Sequence, residues 1–376
     1  MAKELPEDLV TEILLWLPVA SLLRCKCVCK SWYALITHQK FITKHILHNK
    51  KNSNTLLLVK TRDEITENDV VSTLSYETLQ VLHSQPLPLP PPFLVLGSCN
   101  GLVCLHDNYA LRVVLWNPAT KETKVVPKSN LPHFVPAGHK LVIDGIGFGF
   151  DAKTNDYKII TLLSLYDPPS RGKMAQSEVY SLSADSWRKV DTPPFSISPF
   201  CSSVRGLNTY TNGIASLMPY GYGDNWGNLL SFDMSNEVFL KTPLPDDVLL
   251  DELSDLVLNE FSDWAKIFVL NESIALVVLV WDKGMTEICY DIWLLLEVGV
   301  KDSWTKLFSI GPFTDFKPRL LGFWKNDAVL FEDLDGQMVL YDPSTKEMTN
   351  LPIHGGTYSL QLVTYMETLV SVNGRK

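Results

Sequence analysis

Val114-Leu115-Trp116-Asn117-Pro118-Ala119-Thr120-Lys121-Glu122 is the stretch that decides the fold. A short apolar run suited to a strand ends in Asn-Pro, and a polar turn hands over to the next run. The same design returns as Val179-Tyr180-Ser181-Leu182-Ser183-Ala184-Asp185-Ser186-Trp187, as Leu230-Ser231-Phe232-Asp233-Met234-Ser235-Asn236-Glu237, and as Leu340-Tyr341-Asp342-Pro343-Ser344-Thr345-Lys346-Glu347. Asn, Asp and Ser favour such turns because their side chains bond to their own backbone. The turns start at Asn117, Ser181, Asp233 and Asp342, which lie 64, 52 and 109 residues apart. The last gap is two periods, filled by Asp291-Ile292-Trp293 leading to Ser303-Trp304. A period of roughly 50 residues is that of a four-stranded propeller blade.

Between these copies, short β-branched and aromatic runs alternate with turn residues from residue 55 to residue 341. They predict an all-β domain, a β-propeller of about six blades at 54–88, 93–127, 141–191, 210–245, 265–311 and 319–353. A leftover run at 359–372 is expected to close the ring by joining the first blade, which removes two open edges. There is neither a Gly-Gly per blade nor a Trp-Asp ending, so the pattern is not a standard kelch or WD array. A β-sandwich is the alternative.

Ahead of this domain the period is helical. Val10, Ile13, Leu14 and Leu17 fall on one face of a helix that Pro6 can open and Pro18 ends. Glu7 and Asp8 place negative charge at its N-terminus. A second short helix carries Leu22 and Leu23, and a third Val28, Trp32, Leu35 and Ile36. The expected division is a three-helix module at 1–46, a linker at 47–53 and the β domain at 54–373. A unit below ~40 residues seldom buries its own apolar surface. The excess here predicts docking on a partner, with the bland alternative a helical cap on the β domain.

With 376 residues, 46% of them hydrophobic and 20% charged, the chain has a globular composition. No run is long and apolar enough to predict a membrane span, and the first residues lack the apolar core of a signal peptide. Seven irregularly scattered cysteines predict reduced thiols and a cytoplasmic or nuclear location. Residues 1–50 hold seven Lys/Arg against four Asp/Glu, a charge of +3; the whole chain carries −9, which leaves −12 on the remainder. An acidic large domain excludes ordinary nucleic-acid binding and suits a basic protein partner. Its densest acidic stretch, Asp246-Asp247, Asp251-Glu252, Asp255, Glu260 and Asp263, has no Lys or Arg between its members. Such a stretch is either a solvated face or a steering patch. Trp226 stands among Gly221, Gly223 and Gly227 with Tyr220 and Tyr222 nearby, the composition of an exposed aromatic loop.

Leu5-Pro6-Glu7-Asp8-Leu9-Val10, Ile13-Leu14, Leu17-Pro18, Ser21-Leu22, Arg24 and Lys26-Cys27-Val28-Cys29-Lys30-Ser31-Trp32 with Leu35-Ile36 resemble the F-box of plant F-box proteins over residues 4–46. Trp16 stands where that family often has a basic residue, and Cys25 where it often has an aromatic. The resemblance implies an Skp-type adaptor, held by Leu5, Pro6, Val10, Ile13, Leu14, Leu17, Pro18, Leu22, Val28, Trp32, Leu35 and Ile36, and through it cullin and RING subunits.

Ser98-Cys99-Asn100-Gly101-Leu102, Trp116-Asn117-Pro118-Ala119-Thr120, Gly145-Ile146-Gly147-Phe148-Gly149-Phe150-Asp151, Asn155-Asp156-Tyr157-Lys158, Ser186-Trp187-Arg188, Phe232-Asp233-Met234-Ser235 and Gly299-Val300-Lys301-Asp302-Ser303-Trp304-Thr305-Lys306 resemble the plant F-box-associated domain. The similarity is strongest to S-locus F-box proteins, the pollen factors that recognise style ribonucleases.

Catalytic patterns are weak beside this. Gly145-x-Gly147-x-Gly149 lacks the spacing and following helix of a nucleotide loop, so close strand packing is expected. Cys25-x-Cys27-x-Cys29 lacks a second pair or histidines at zinc spacing. The histidines are dispersed and no nucleophile elbow is present, so neither catalytic residues, metal nor cofactor are expected. The proline run 85–92 reads as an inter-strand loop, with an SH3-type ligand as the alternative. The resulting expectation is a non-catalytic substrate receptor of an Skp–cullin–F-box ubiquitin ligase. Its target contacts would be Tyr220, Tyr222, Trp226, Asp246, Asp247, Asp251 and Glu252, on loops 129–140, 166–176, 218–227 and 245–263, and a basic S-ribonuclease is one candidate target. Alternatives are a regulatory target in defence or hormone signalling, and a propeller binding protein outside any ligase.

Overall fold

The computed structural model describes residues 6–63, 65–90, 93–107, 112–129, 138–167, 172–192, 209–218, 227–249, 265–282, 286–314 and 318–373. Four helices come first: α1 (Glu7–Leu15), α2 (Val19–Cys25), α3 (Lys30–Thr37) and α4 (Gln39–Lys51). The fourth corrects the expected three-helix module and its linker at 47–53. Phe41, Ile42, His45 and Asn49 form one buried face, and that face continues the helix through the polar segment at its end.

The strands follow in chain order. They are β1 (Leu56–Arg62), β2 (Asp69–Ser75) and β3 (Val81–Pro86), then β4 (Leu94–Cys99), β5 (Leu102–Asp107), β6 (Arg112–Asn117) and β7 (Glu122–Val125). Next come β8 (Lys140–Asp151), β9 (Asp156–Asp167), β10 (Gly172–Ser181) and β11 (Ser186–Val190), then β12 (Thr209–Thr211), β13 (Ile214–Leu217), β14 (Asn228–Asp233) and β15 (Val238–Pro243). The short helix α5 (Asp246–Leu249) precedes β16 (Ala265–Leu270), β17 (Ser273–Trp281), β18 (Ile288–Leu295) and β19 (Trp304–Phe313). The last strands are β20 (Arg319–Phe323), β21 (Val329–Glu332), β22 (Gln337–Asp342), β23 (Glu347–His354) and β24 (Gln361–Tyr365).

They form six four-stranded antiparallel sheets, β24-β1-β2-β3 and five sequential meanders, so the domain is a six-bladed propeller and the sandwich alternative falls away. The innermost strands neighbour one another in the cyclic order β24, β4, β8, β12, β16, β20 and back to β24. Leu58 of β1 pairs with Val363 of β24, so the expected closure of the first blade by the last strand is what the chain does.

The repeated turns explain the repeated residues. Asn117 Oδ1 accepts the backbone N–H of Ala119 (3.0 Å), Asp233 Oδ1 that of Ser235 (2.8 Å), and Asp342 Oδ1 that of Ser344 (2.8 Å). Ser181 Oγ accepts from Ala184 N–H, and Ser75 does the same work in the first blade for Glu77. Each is the side-chain capping of a tight turn. Glycines at Gly145, Gly147 and Gly149 of β8 let blade 3 lie against blade 4. A Cβ at Gly145 would stand 2.8 Å from Leu217, and one at Gly149 would enter the Tyr210 ring. The expectation of close packing is met there.

Neighbouring blades are stapled by polar contacts. Trp187 Nε1 of blade 3 donates to the Pro127 carbonyl beyond blade 2 at 2.7 Å, and Trp304 Nε1 of blade 5 to the Pro243 carbonyl of blade 4 at 2.8 Å. Between blades 3 and 4 the Lys158 ammonium is buried against Asp151 (2.6 Å) and Glu237 (2.7 Å). Burial alone would raise the Asp151 carboxyl, but Lys158 and the Ser235 and Thr154 hydroxyls hold it well below the usual carboxylate range.

Candidate functional site

Topology gives the propeller two unlike faces. In every blade the turn from first to second strand and the turn from third to fourth lie on one side. The connections from second to third strand, and onward to the next blade, leave from the other. The helices sit on the first side, because α4 leads directly into the start of β1.

The segment after β24 fastens them there. Leu369, Val370 and Val372 are buried in one cluster with Leu14, Leu22, Ile36 and Phe41 of the helices and Leu96, Leu102 and Leu115 of blade 2. Asn117, fully buried, donates from Nδ2 to the carbonyls of Thr368 (3.1 Å) and Val370 (2.8 Å). Thr368 Oγ1 donates to the Asn100 carbonyl at 3.0 Å, against Gly101, whose positive φ and lack of Cβ leave room for the Thr368 side chain. From α4, Asn49 Nδ2 donates to the Glu367 carbonyl at 3.4 Å. Buried His45 donates from Nε2 to the Leu17 carbonyl at 3.2 Å, tying α4 to the end of α1. Burial lowers the His45 pKa, and the Leu17 carbonyl opposes this in part.

The outward side of the helices carries several open apolar residues among its charged ones. Ile13 (55% exposed), Trp16 (68%) and Val28 (64%) are open, as are Leu9 and Tyr33. Of the residues named for adaptor binding, Pro6, Ile13, Pro18 and Val28 are exposed, and Val10, Leu17, Trp32 and Leu35 are half-buried. Leu14, Leu22 and Ile36 are inside, where they hold the module together and offer no surface. Leu5 lies outside the described residues. Leu9, Trp16 and Tyr33 are open apolar residues that the pattern of one stripe per helix missed. The signal was present in α1: Leu9, Ile13 and Trp16 repeat at i, i+4 and i+7, a second stripe beside Val10, Leu14 and Leu17. Cys29, exposed beside Val28, is pulled below the usual thiol range by the Ser31 hydroxyl and the Trp32 backbone. The described cysteines are unbridged.

By strand direction, loops 129–140, 166–176, 218–227 and 245–263 leave from strand ends on the side away from the helices, spread over blades 2 to 5. Asp246 and Asp247 are exposed on α5, but α5 reaches back to the connection between β18 and β19, where Asp246 pairs with Lys301 at 2.6 Å, so these two carboxylates are not placed on the far face alone. Tyr220, Tyr222, Trp226, Asp251 and Glu252 lie outside the described residues. In the proline run, Gln85 and Pro86 close β3, Leu87 is buried and the chain bends at Pro88 and Leu89, so residues 87–90 form an anchored inter-strand segment; residues 91 and 92 lie outside the described ones. Among the described residues no helix is long and apolar enough to cross a membrane.

A closed ring with a helical module clamped to one face, several of its apolar residues left open, is the frame of a bipartite binding protein. Comparison with known families then places it. Residues 3–44 match the F-box domain, and residues 56–372 match the F-box associated beta propeller domain. The chain belongs to this family of F-box proteins. It is 29% identical over 384 residues to an F-box/kelch-repeat protein of Arabidopsis thaliana, covering 98% of this chain and 96% of that one. It is 28% identical over 386 residues to the Arabidopsis thaliana F-box protein CPR1, covering 96% and 87%. An F-box domain implies binding to an Skp-type adaptor, and family members are in general adaptor subunits of ubiquitin ligases.

Proposed function

We propose that this chain is the substrate-recognition subunit of an Skp–cullin–F-box ubiquitin ligase. The observation that carries this is the set of open apolar residues, Leu9, Ile13 and Trp16 on α1 with Val28 and Tyr33, on a module fixed to one face of the ring. These residues hold the Skp-type adaptor, together with Pro6, Pro18 and the half-buried Val10, Leu17, Trp32 and Leu35. The opposite face holds the target. Other subunits supply the chemistry. This chain supplies proximity, which raises the local concentration of charged ubiquitin near the target's lysines. The cytoplasm or nucleus is where such a complex would work.

The charge of −12 outside the first 50 residues favours a basic target. A basic ribonuclease of the self-incompatibility type suits that charge, and this finer reading rests on the resemblance to S-locus F-box proteins.

Co-purification of an Skp-type adaptor with the full chain and with an Ile13→Asp/Val28→Asp variant tests the reading. Losing two side chains that the adaptor would bury, at ~1.5–3 kcal/mol each, should weaken adaptor binding by about a hundredfold or more. Adaptor retained by the variant at full strength refutes it.

A further inference from the structure

The seam where blade 6 meets blade 1 presents a surface on the face away from the helices that includes none of the residues above. Three connections meet there: that between β1 and β2, described at residues 63 and 65–68, that at 333–336 between β21 and β22, and that at 355–360 between β23 and β24. Hydrogen bonds stitch them into one unit. Gly356 N–H donates to the Arg62 carbonyl at 2.8 Å, Gly355 N–H to the Gly336 carbonyl at 3.0 Å, and Thr357 Oγ1 to the Leu334 carbonyl at 3.3 Å. Arg62 N–H donates to Ser359 Oγ at 3.3 Å.

Each connection exposes one large apolar side chain: Ile65 is 94% exposed, Leu334 47% and Tyr358 59%. A single exposed apolar residue is ordinary, but three from distant parts of the chain on one stitched unit are not. Tyr358 also has φ +61°, a left-handed conformation that bulky residues rarely adopt and that tends to persist at functional sites. Asp63 accepts the backbone N–H of Ile65 at 3.0 Å and so fixes the turn that carries it. Acidic groups share these connections with the apolar three. Asp63, Glu67, Asp333 and Asp335 are on the same connections, against Arg62, which pairs with Glu67 at 3.5 Å.

We propose that this seam is a target-contact site that takes an apolar side chain flanked by Lys or Arg on the target's surface. The inference rests on the receptor reading above and names the recognition chemistry of its open face. Ile65, Leu334 and Tyr358 supply the apolar anchor, and the four carboxylates read the flanking positive charge and steer its approach.

The test uses the full chain bound to its adaptor as bait for phage-displayed random 12-residue peptides, with counter-selection on an Ile65→Ser/Leu334→Ser/Tyr358→Asn variant. Asn is chosen at 358 because it tolerates a positive φ. Peptides that carry an apolar residue beside Lys or Arg should be enriched. They should bind the variant about tenfold or more weakly, the loss expected of anchor residues. A Glu67→Lys/Asp335→Lys variant, which spares the turn-capping Asp333, should weaken them too, less so at high salt. Adaptor capture by each variant reports folding; should the triple variant fail it, Ile65→Ser alone at the exposed turn carries the test. No peptide that discriminates wild type from variant, or enriched peptides without basic residues, overturns the proposal. Loss of adaptor capture by the wild-type chain instead fells the receptor reading, on a separate readout.

Discussion

Replacing Asn117 with alanine should loosen the joint between helices and propeller. The Asn117 side chain makes four hydrogen bonds in a fully buried setting: Nδ2 to the carbonyls of Thr368 and Val370, and Oδ1 from the N–H groups of Ala119 and Thr120. Only the two bonds to Thr368 and Val370 cross to the tail, so a net ~0.5–1.5 kcal/mol per bond gives ~1–3 kcal/mol, about 2 kcal/mol, for its opening. That is roughly 30-fold in an opening equilibrium. Hydrogen exchange read by mass spectrometry on peptides covering 366–373 should therefore speed up by about that factor. Peptides from β17 and β18, across the ring, should keep wild-type protection. Asn117→Asp has the same shape and keeps the turn acceptor, but it sets a carboxylate against two carbonyl oxygens. It should open the tail at least as much as alanine does. Exchange in the tail changed by less than about fivefold in the alanine variant, or an aspartate variant that behaves as wild type, would refute the clamp.

Removing the indole donors of the blade staples, by Trp187→Phe or Trp304→Phe, should cost about 1 kcal/mol each in urea unfolding. The two effects should add, because the bonds lie at separate blade junctions. His45 predicts a pH dependence. Its folded pKa is lowered by burial, so the folded state resists a proton that the unfolded chain accepts near pH 6.5. Its contribution is complete above that pH and declines as pH falls from ~6.5 toward the folded pKa. A His45→Gln variant should lose this slope in melting curves taken from pH 7.5 to 5.5; an unchanged slope counts against the assignment.

The ring was legible because its information is local. Asn117, Ser181, Asp233 and Asp342 each cap a turn within three residues of themselves, so composition and period sufficed. The second role of Asn117 was not legible, because its partners at Thr368 and Val370 are some 250 residues away in sequence. Helix α4 hid for a different reason. His48, Asn49, Lys50, Lys51 and Asn52 read as a polar linker, while the burial of His45 and Asn49 depends on contacts with Leu17 and Glu367 that no local pattern carries. At the helical surface, the apolar excess was visible but its division was not. Leu14, Leu22 and Ile36 look the same in sequence as Ile13 and Val28, and only packing separates those inside from those left open. The seam residues were invisible because Ile65, Leu334 and Tyr358 each sit alone among turn residues, and their neighbourhood exists only once the circle is closed.

That closure also sets an order of events during synthesis. β1 leaves the ribosome early, yet its inner partner β24 comes roughly 300 residues later, on the order of 15–60 s at ~5–20 residues per second. Until then blade 1 has a bare inner edge of unpaired backbone groups, and the helices lack the tail that covers Leu14, Leu22 and Phe41. The nascent chain thus carries a sticky edge and an uncovered apolar patch side by side for most of its translation, a natural hold for a chaperone. The helical module reaches its final setting only after residues 366–372 have emerged, so a chain cut short of them lacks the bonds from Asn117 and Asn49 that clamp it.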